Sequence, residues 1–300
     1  MMGKIYILLL GFAVFTGATF NLAKFSVQYF SAASAAGWRF GIAAVLLFII
    51  LGMQKKVRWD IVRKYGAIYT ILGIIGIFGF NSFFFLGIKY TSPLNGALIM
   101  ATNPLITSIL AYFILKIPLT RKQTIGIMFA LFGVILVLTQ GSWEVIKTLS
   151  MSRGDLFILI GNLCWALYGV LGRKYLSQSS SMETTTYTMI IGALCLIVLS
   201  ACLPSSHPLS EVTITAWGSI LFMAIFTSVL GYLWWNKAME TIGAANTSLF
   251  FNLVPVVTMI LSLLTGTPVS ISQILGTVLV ILGVFTSTGF LKVKERYKLV

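Results

Sequence analysis

Seven asparagines, Asn21, Asn81, Asn95, Asn103, Asn162, Asn246 and Asn252, stand in or beside stretches that are otherwise apolar. An unpaired amide in hydrocarbon is costly, so each must face another helix or a wet cavity. Asn95 and Asn246 fall near helix starts, where capping is the simplest role. Asn103 directly precedes Pro104 near mid-span. The proline ring removes a backbone donor and leaves an earlier carbonyl unbonded, which predicts a kink with free polar groups beside a cavity. Pro255, three residues after Asn252, should kink a later helix in the same way. Trp165 and Tyr168 are three apart on one helix face, about halfway through a span, and suit a pocket wall that stacks on a flat or apolar solute. Should these prove to be helix-packing elements, Asn81, Tyr232 and Trp235 are the next place to look, and Asn21 completes the candidate set. The chemistry these types support is recognition of a small molecule: ring faces for an apolar end, amides and freed carbonyls for a polar one.

Other chemistries lack their parts. Asp60, Glu144, Asp155, Glu183, Glu211, Glu240 and Glu295 all fall at span ends, in loops or in the tail, so no carboxylate sits near a span centre to carry protons. His207, the single histidine, lies beside Pro208 in a short connection and reads as a solvated loop residue. Cys164, Cys195 and Cys202 fall inside apolar runs without paired spacing, which indicates neither a disulfide framework nor a zinc site. No HExxH or GxSxG is present, so a membrane-embedded enzyme is disfavoured, and no cofactor is called for. Lys24 and Arg39 lie near the outer ends of the first two spans; they read as cations snorkelling to the headgroups or, alternatively, as attraction for an anionic group at the outer mouth.

The elements that must position these residues are membrane spans. Of 300 residues 58% are hydrophobic and 9% charged, and the mean hydropathy is +0.97. Seven acidic residues cannot solvate a water-facing surface of that size, which excludes a soluble globular fold. The net charge of +14 does not indicate nucleic acid, because the basic residues fall in short gaps between apolar runs. Runs of about 20 apolar residues predict ten transmembrane helices, approximately Ile5 to Lys24, Ser34 to Leu51, Tyr65 to Leu86, Pro93 to Leu115, Gln123 to Thr139, Asp155 to Tyr175, Thr184 to Leu203, Trp217 to Lys237, Ala244 to Leu264 and Gln273 to Phe290. With the N-terminus inside, 16 of the 21 Lys and Arg fall on the cytoplasmic side, including the tail from Lys292 to Lys298. The five outside are Lys24, Arg39, Lys89, Lys147 and Arg153. This bias places both termini in the cytoplasm. The first apolar stretch is too long for a cleaved signal sequence.

The chain also repeats itself with a period of about 150 residues. Asn95 and Pro104 fall over Asn246 and Pro255, Gly126 and Gly133 over Gly276 and Gly283, and Gly11 and Lys24 over Gly161 and Lys174. Five spans per half is an odd number, so the second half enters from the opposite face. The expected fold is an all-α integral membrane protein of two inverted five-helix repeats, residues 1–141 and 142–300, the second ending in a short basic cytoplasmic tail. Two inverted copies can exchange inward-facing and outward-facing shapes around a central site, which is alternating access. The glycines at 73, 76 and 79, and the Gly37/Gly41 pair, read as close-packing seams between helices.

These residues resemble the ten-helix drug/metabolite transporter superfamily, specifically its EamA family. The likeness runs through Gly17-Ala-Thr-Phe20 with Lys24, Arg39-Phe40, Lys89-Tyr-Thr-Ser92 before Asn95, Pro104, and Gln123 and Gly126 leading to Gly133-Val134. In the second half it runs through Cys164-Trp-Ala166, Arg173, Ala244-Ala-Asn246, Pro255, and Gln273 and Gly276 leading to Gly283-Val284. Thr16 departs from a position often held by Trp, and the Gly-Glu that usually closes the fourth and ninth spans reads Lys116-Ile117 and Gly266-Thr267. The resemblance implies a central cavity formed chiefly by spans one, three, four, six, eight and nine, and transport of amino acids, purines or other small metabolites. The expectation is a multi-pass protein of a bacterial inner membrane that exports amino acids or similar zwitterionic or neutral solutes. The alternatives are a proton-coupled exporter of lipophilic or cationic drugs, or an importer of purines, nucleosides or other metabolites. Its partners would be the small-molecule substrate and the lipid bilayer; the oligomeric state stays open, with a monomer sufficient.

Overall fold

The computed structural model describes residues 2–54, 58–118, 120–139, 142, 152–203 and 208–288. Among them there are helices and turns but no strands. Eight helices are long and apolar enough to cross a membrane. These are α1 (Gly3–Ser26), α2 (Ala32–Met53), α3 (Trp59–Tyr90), α4 (Pro93–Leu115), α6 (Arg153–Tyr175), α7 (Ser181–Cys202), α8 (Ile214–Ile242) and α9 (Ala244–Leu264). The fifth and tenth expected spans coincide with α5 (Arg121–Leu138) and α10 (Ile271–Thr288), whose apolar stretches are shorter. The sequence-based limits of the third and eighth spans are too short at both ends, because the polar residues Asp60 and Glu240 still continue a helix. Lys55, Lys56, Glu144, Lys147, His207, Glu295 and the basic tail lie outside the described residues.

Helix starts follow local capping chemistry. Ser31, Ser92, Ser152, Ser180 and Thr213 each accept a hydrogen bond from the third backbone N–H of α2, α4, α6, α7 and α8. Ser152 with Asp155, and Ser180 with Glu183, form reciprocal capping boxes. At the other ends, Lys116 closes α4 with φ 59°, while Gly266 follows α9 with φ 73°. These are the two positions where the family's usual Gly-Glu is missing. Glycine takes the left-handed region without cost, whereas Lys116 carries a Cβ there.

Two further irregularities occur at matching places. α3 runs as a π-helix over Gly73–Gly79 and α8 over Met223–Gly231. α4 breaks at Ala101 and Thr102 before Pro104, and α9 tightens to a 3-10 helix over Leu249–Leu253 before Pro255. Both kinks expected at the prolines are therefore present, produced by the missing N–H and the ring's clash with the preceding turn.

α2 packs along α7, α5 along α10, α3 and α4 against α6, and α1 against α8 and α9. The glycine seams lie where expected. Gly73 meets Ile191 and the Thr188 carbonyl of α7, Gly76 carries the Tyr168 ring, and Gly37 and Gly41 face Ile197. A Cβ on Gly76 would overlap the Tyr168 ring atoms. The bundle thus has two ends: a near end, where α1 begins, and a far end, where α1 finishes. Trp38 and Trp217 meet edge to face at 5.1 Å near the far end, in keeping with an interfacial aromatic belt.

Candidate functional site

At the far end a vestibule of about 910 Å³ opens between α1, α4, α6, α8 and the end of α9. Asn21, Lys24, Thr91, Asn95, Asp155 and Thr267 are among the polar residues lining it. Lys24 does not snorkel. Its Nζ donates to the carbonyls of Ile88 at 3.0 Å, Lys89 at 3.1 Å and Thr91 at 2.9 Å. It thereby satisfies the last turn of α3, whose orphan carbonyls and dipole favour a cation. Thr91 Oγ1 donates to Asp155 Oδ1 at 2.5 Å, joining α3 to the start of α6. Asn21 donates to the Thr258 carbonyl at 3.3 Å and accepts from Ser262 at 3.1 Å, so it fastens α1 to α9 at the vestibule floor.

Below that floor, a small cavity of about 30 Å³ sits at the centre of the bundle. That is room for one or two waters. Phe20 and Phe84, edge to face at 5.2 Å, line its roof, and Phe12, Trp165, Tyr232 and Phe251 line the rest of an aromatic wall. The polar lining is Thr16, Thr19, Thr227 and Arg39. Thr19 and Thr227 share a hydrogen bond of 2.7 Å, and both hydroxyls stand within reach of the Phe15 carbonyl, at 2.9 Å and 3.2 Å, so one donates to that carbonyl while the other donates across the pair. The Thr16 hydroxyl and the Trp165 indole N–H are buried without a partner among the described residues.

Arg39 is the residue that sequence reasoning misplaced. It starts about 10 Å into α2, counted from Ala32 at 1.5 Å per residue. Only 3% of it is exposed. Its Nε donates to Ser228 Oγ at 2.9 Å, and its guanidinium carbon stands 4.8 Å from the Phe40 ring centroid and 5.8 Å from that of Phe85. Among the described residues no carboxylate pairs with it. A single cation in an apolar span, with no acid at helical spacing, was the available signal. Hydropathy alone does not say which way such a side chain turns. Insertion scales put an arginine at a span centre at about 2.5–3.5 kcal/mol, so an inward, unpaired arginine calls for a functional reason.

The expected site residues fall into three places. Trp165 and Tyr232 line the central cavity, 4.8 Å apart and edge to face. Tyr168 stacks on Trp165 at 5.5 Å but lies behind it, its hydroxyl held by Asn236 at 2.7 Å; Trp235 packs against Trp165 at 5.3 Å from the same side. Asn81 belongs with Tyr232, donating to its hydroxyl at 3.2 Å and to the Ile77 carbonyl at 2.8 Å, while its Oδ1, like that of buried Asn252, has no partner among the described residues. Asn103 lies in the break of α4. It donates to Asn162 Oδ1 at 2.7 Å and accepts from Thr107 at 3.1 Å, and Asn162 in turn donates to Thr102 at 2.9 Å and to the Ile99 carbonyl at 3.0 Å, which also accepts from the Thr102 backbone N–H. This asparagine pair ties the break in α4 to α6.

Beneath the aromatic wall, the near end holds a smaller recess of about 350 Å³ lined by Gly169, Arg173, Ser179, Thr184, Asn236 and Glu240 among others. Arg58 donates to both oxygens of Glu183, with 2.8 Å at Nε. The hydrogen bond to Glu183 is the main cause that raises the Arg58 pKa above its ordinary value. Lys64 reaches Gln178 at 2.8 Å, Tyr69 and Ser179 share a bond of 2.6 Å, and Arg173 donates to the Glu240 carbonyl at 2.8 Å. These contacts staple α3, α6, α7 and α8 together.

An all-helical bundle of apolar spans around a central aromatic and polar cavity defines a multi-pass membrane protein of the transporter class. The chain belongs to the EamA-like transporter family, whose profile matches residues 3–139 and again residues 152–289. It is 60% identical to the uncharacterized transporter YyaM of Bacillus subtilis over 292 residues, covering 97% of this chain and 96% of that one. It is 26% identical to a probable amino-acid metabolite efflux pump of Salmonella typhimurium over 291 residues, covering 93% of each. A solved crystal structure with 20% identity superposes with a TM-score of 0.70 over 94% of this chain and 96% of that one, which bears on the fold.

Proposed function

We propose that the protein exports small organic metabolites, amino acids and similar solutes, by alternating access between two inverted five-helix repeats, residues 1–141 and 142–300. Ten spans cross a bacterial plasma membrane in this reading, α5 and α10 being the fifth and tenth, with both termini cytoplasmic and the far end outside. The observation that carries it is the stack of three spaces along the bundle: a vestibule of about 910 Å³, a narrow central cavity of about 30 Å³ and a recess of about 350 Å³. A solute would enter the centre when the rings on one side part while those on the other stay closed. The twofold family match and the paired π-helical and proline-broken segments support the repeats. The printed name of the Salmonella relative supports amino-acid metabolites and outward flux.

Proton coupling lacks a carrier in this reading, because Asp155 and Glu183 are engaged at opposite ends and no acid lines the central cavity. Facilitated flux or exchange is the expected mode. Proteoliposomes loaded with a mixture of amino acids should show saturable counterflow that persists without a pH gradient. Its collapse on adding a protonophore would overturn the uncoupled mode, and flux that never saturates would overturn the transporter reading in favour of a channel.

A further inference from the structure

We propose that the central cavity is an anion-recognition site, in which Arg39 pairs with a carboxylate on a solute whose apolar body rests on the Trp165, Tyr232 and Phe251 rings. The proposal deepens the transport reading and rests on it for the solute's movement. Four observations carry it. Arg39 is buried and lines the cavity, so its charge is held away from lipid headgroups and bulk water. Its only hydrogen bond is from Nε to Ser228 Oγ, which leaves both Nη groups without an acceptor among the described residues. The guanidinium carbon stands 4.8 Å and 5.8 Å from the ring centroids of Phe40 and Phe85, which attract a cation but do not neutralise it. No acidic side chain among the described residues lines the cavity, so none of them competes for the cation or favours a purely cationic solute.

A planar guanidinium tethered at Nε presents its two Nη groups as a fork, which suits bidentate contact with a carboxylate. Ser228 belongs to the π-helical stretch of α8, so the tether is supplied by an irregular segment rather than by a regular helix face. The unpartnered Thr16 hydroxyl and Trp165 N–H line the same small space and offer further hydrogen bonds to the solute. Lys24, on the vestibule wall above, adds a positive potential along the approach.

The test uses matched trios that differ only in charged groups: L-phenylalanine, 3-phenylpropionate and 2-phenylethylamine, and likewise L-leucine, 4-methylpentanoate and 3-methylbutylamine. Thermal stabilisation of the full-length protein is measured in detergent in a chloride-free sulfate buffer. The carboxylate-bearing members should stabilise, with half-saturation at least about tenfold below that of the matched amine. Arg39→Gln should abolish that preference and Arg39→Lys should keep part of it. Ser228→Ala, which keeps the charge and loses the tether, should weaken the carboxylates several-fold and leave the amines unchanged. The proposal is overturned if amines stabilise as well as acids, if Arg39→Gln still distinguishes them, if no carboxylate stabilises, or if chloride alone does so. Should Arg39→Gln fail to fold, Ser228→Ala and Arg39→Lys carry the decision. Counterflow in proteoliposomes separates the two readings: stabilisation by acids without any counterflow sinks transport and leaves the Arg39 pairing standing, whereas counterflow of amines in preference to acids does the reverse.

Discussion

The two ends of the bundle are built from the same kinds of helix and held by different chemistry. At the near end, Arg58 with Glu183, Tyr69 with Ser179, and Arg173 with the Glu240 carbonyl join four helices across a narrow recess. At the far end, the cross-links are Lys24 on three carbonyls of α3 and Thr91 on Asp155, and both stand on the wall of a space more than twice as large. The irregular segments do not account for this, because π-helices and proline breaks occur at matching places in both halves. The difference therefore lies in a few polar contacts at helix ends. A protein whose two shapes are separated by such contacts can exchange them for a modest free energy, since each is worth about 0.5–1.5 kcal/mol net.

The comparison breaks outright if the ends face the wrong compartments. With the native cysteines replaced, Ser270→Cys at the far end should label with an impermeant maleimide in intact cells, and Ser177→Cys at the near end should not; the reverse pattern would invert the assignment. The next largest effect is expected from Glu183→Ala. It removes the capping box of α7 and the acceptor of Arg58 together, and should cost about 1–2 kcal/mol, most of it from the cap because Arg58 is half exposed. Thiol accessibility in the near-end recess, read at Thr184→Cys in the same background, should rise in parallel. A fall in stability with unchanged accessibility would show that Glu183 only caps its helix. Lys116→Gly, which supplies the residue favoured at φ 59°, should stabilise by about 1 kcal/mol in denaturation, against no gain for an Ala in the same place. The smallest effect belongs to Lys24→Met. Lys24 and Thr91 both line the vestibule, where water can take the place of the ammonium, so stability should fall by only a few tenths of a kcal/mol. A loss as large as that for Glu183→Ala would mean that the far end is held as firmly as the near one.

Much of the fold was legible because the bilayer imposes length and because capping residues mark helix starts. Ser152 with Asp155 and Ser180 with Glu183 can be read as capping boxes from spacing alone, and both proline breaks follow from the ring. The residues that line the candidate site were legible only in part. Trp165 and Tyr232 were named and line the cavity, yet Asn103 and Tyr168, equally attractive in sequence, turn to partners elsewhere in the chain, Asn162 and Asn236. Such pairings join residues tens of positions apart and leave no local signature.

Apolar length, the small-residue seams and the recurrence at about 150 residues were thus fixed by sequence, since each depends on composition along a line. The tertiary structure alone decided the rotation of each helix about its axis. In water that rotation shows as an apolar stripe, but in a bilayer the lipid-facing and core-facing surfaces are both apolar, so the pattern carries little azimuthal information. Arg39 is the consequence: one helix rotation sends it to the headgroups, and the rotation found here, set by the packing of α2 on α7 and α8, brings it to Ser228 at the centre of the bundle.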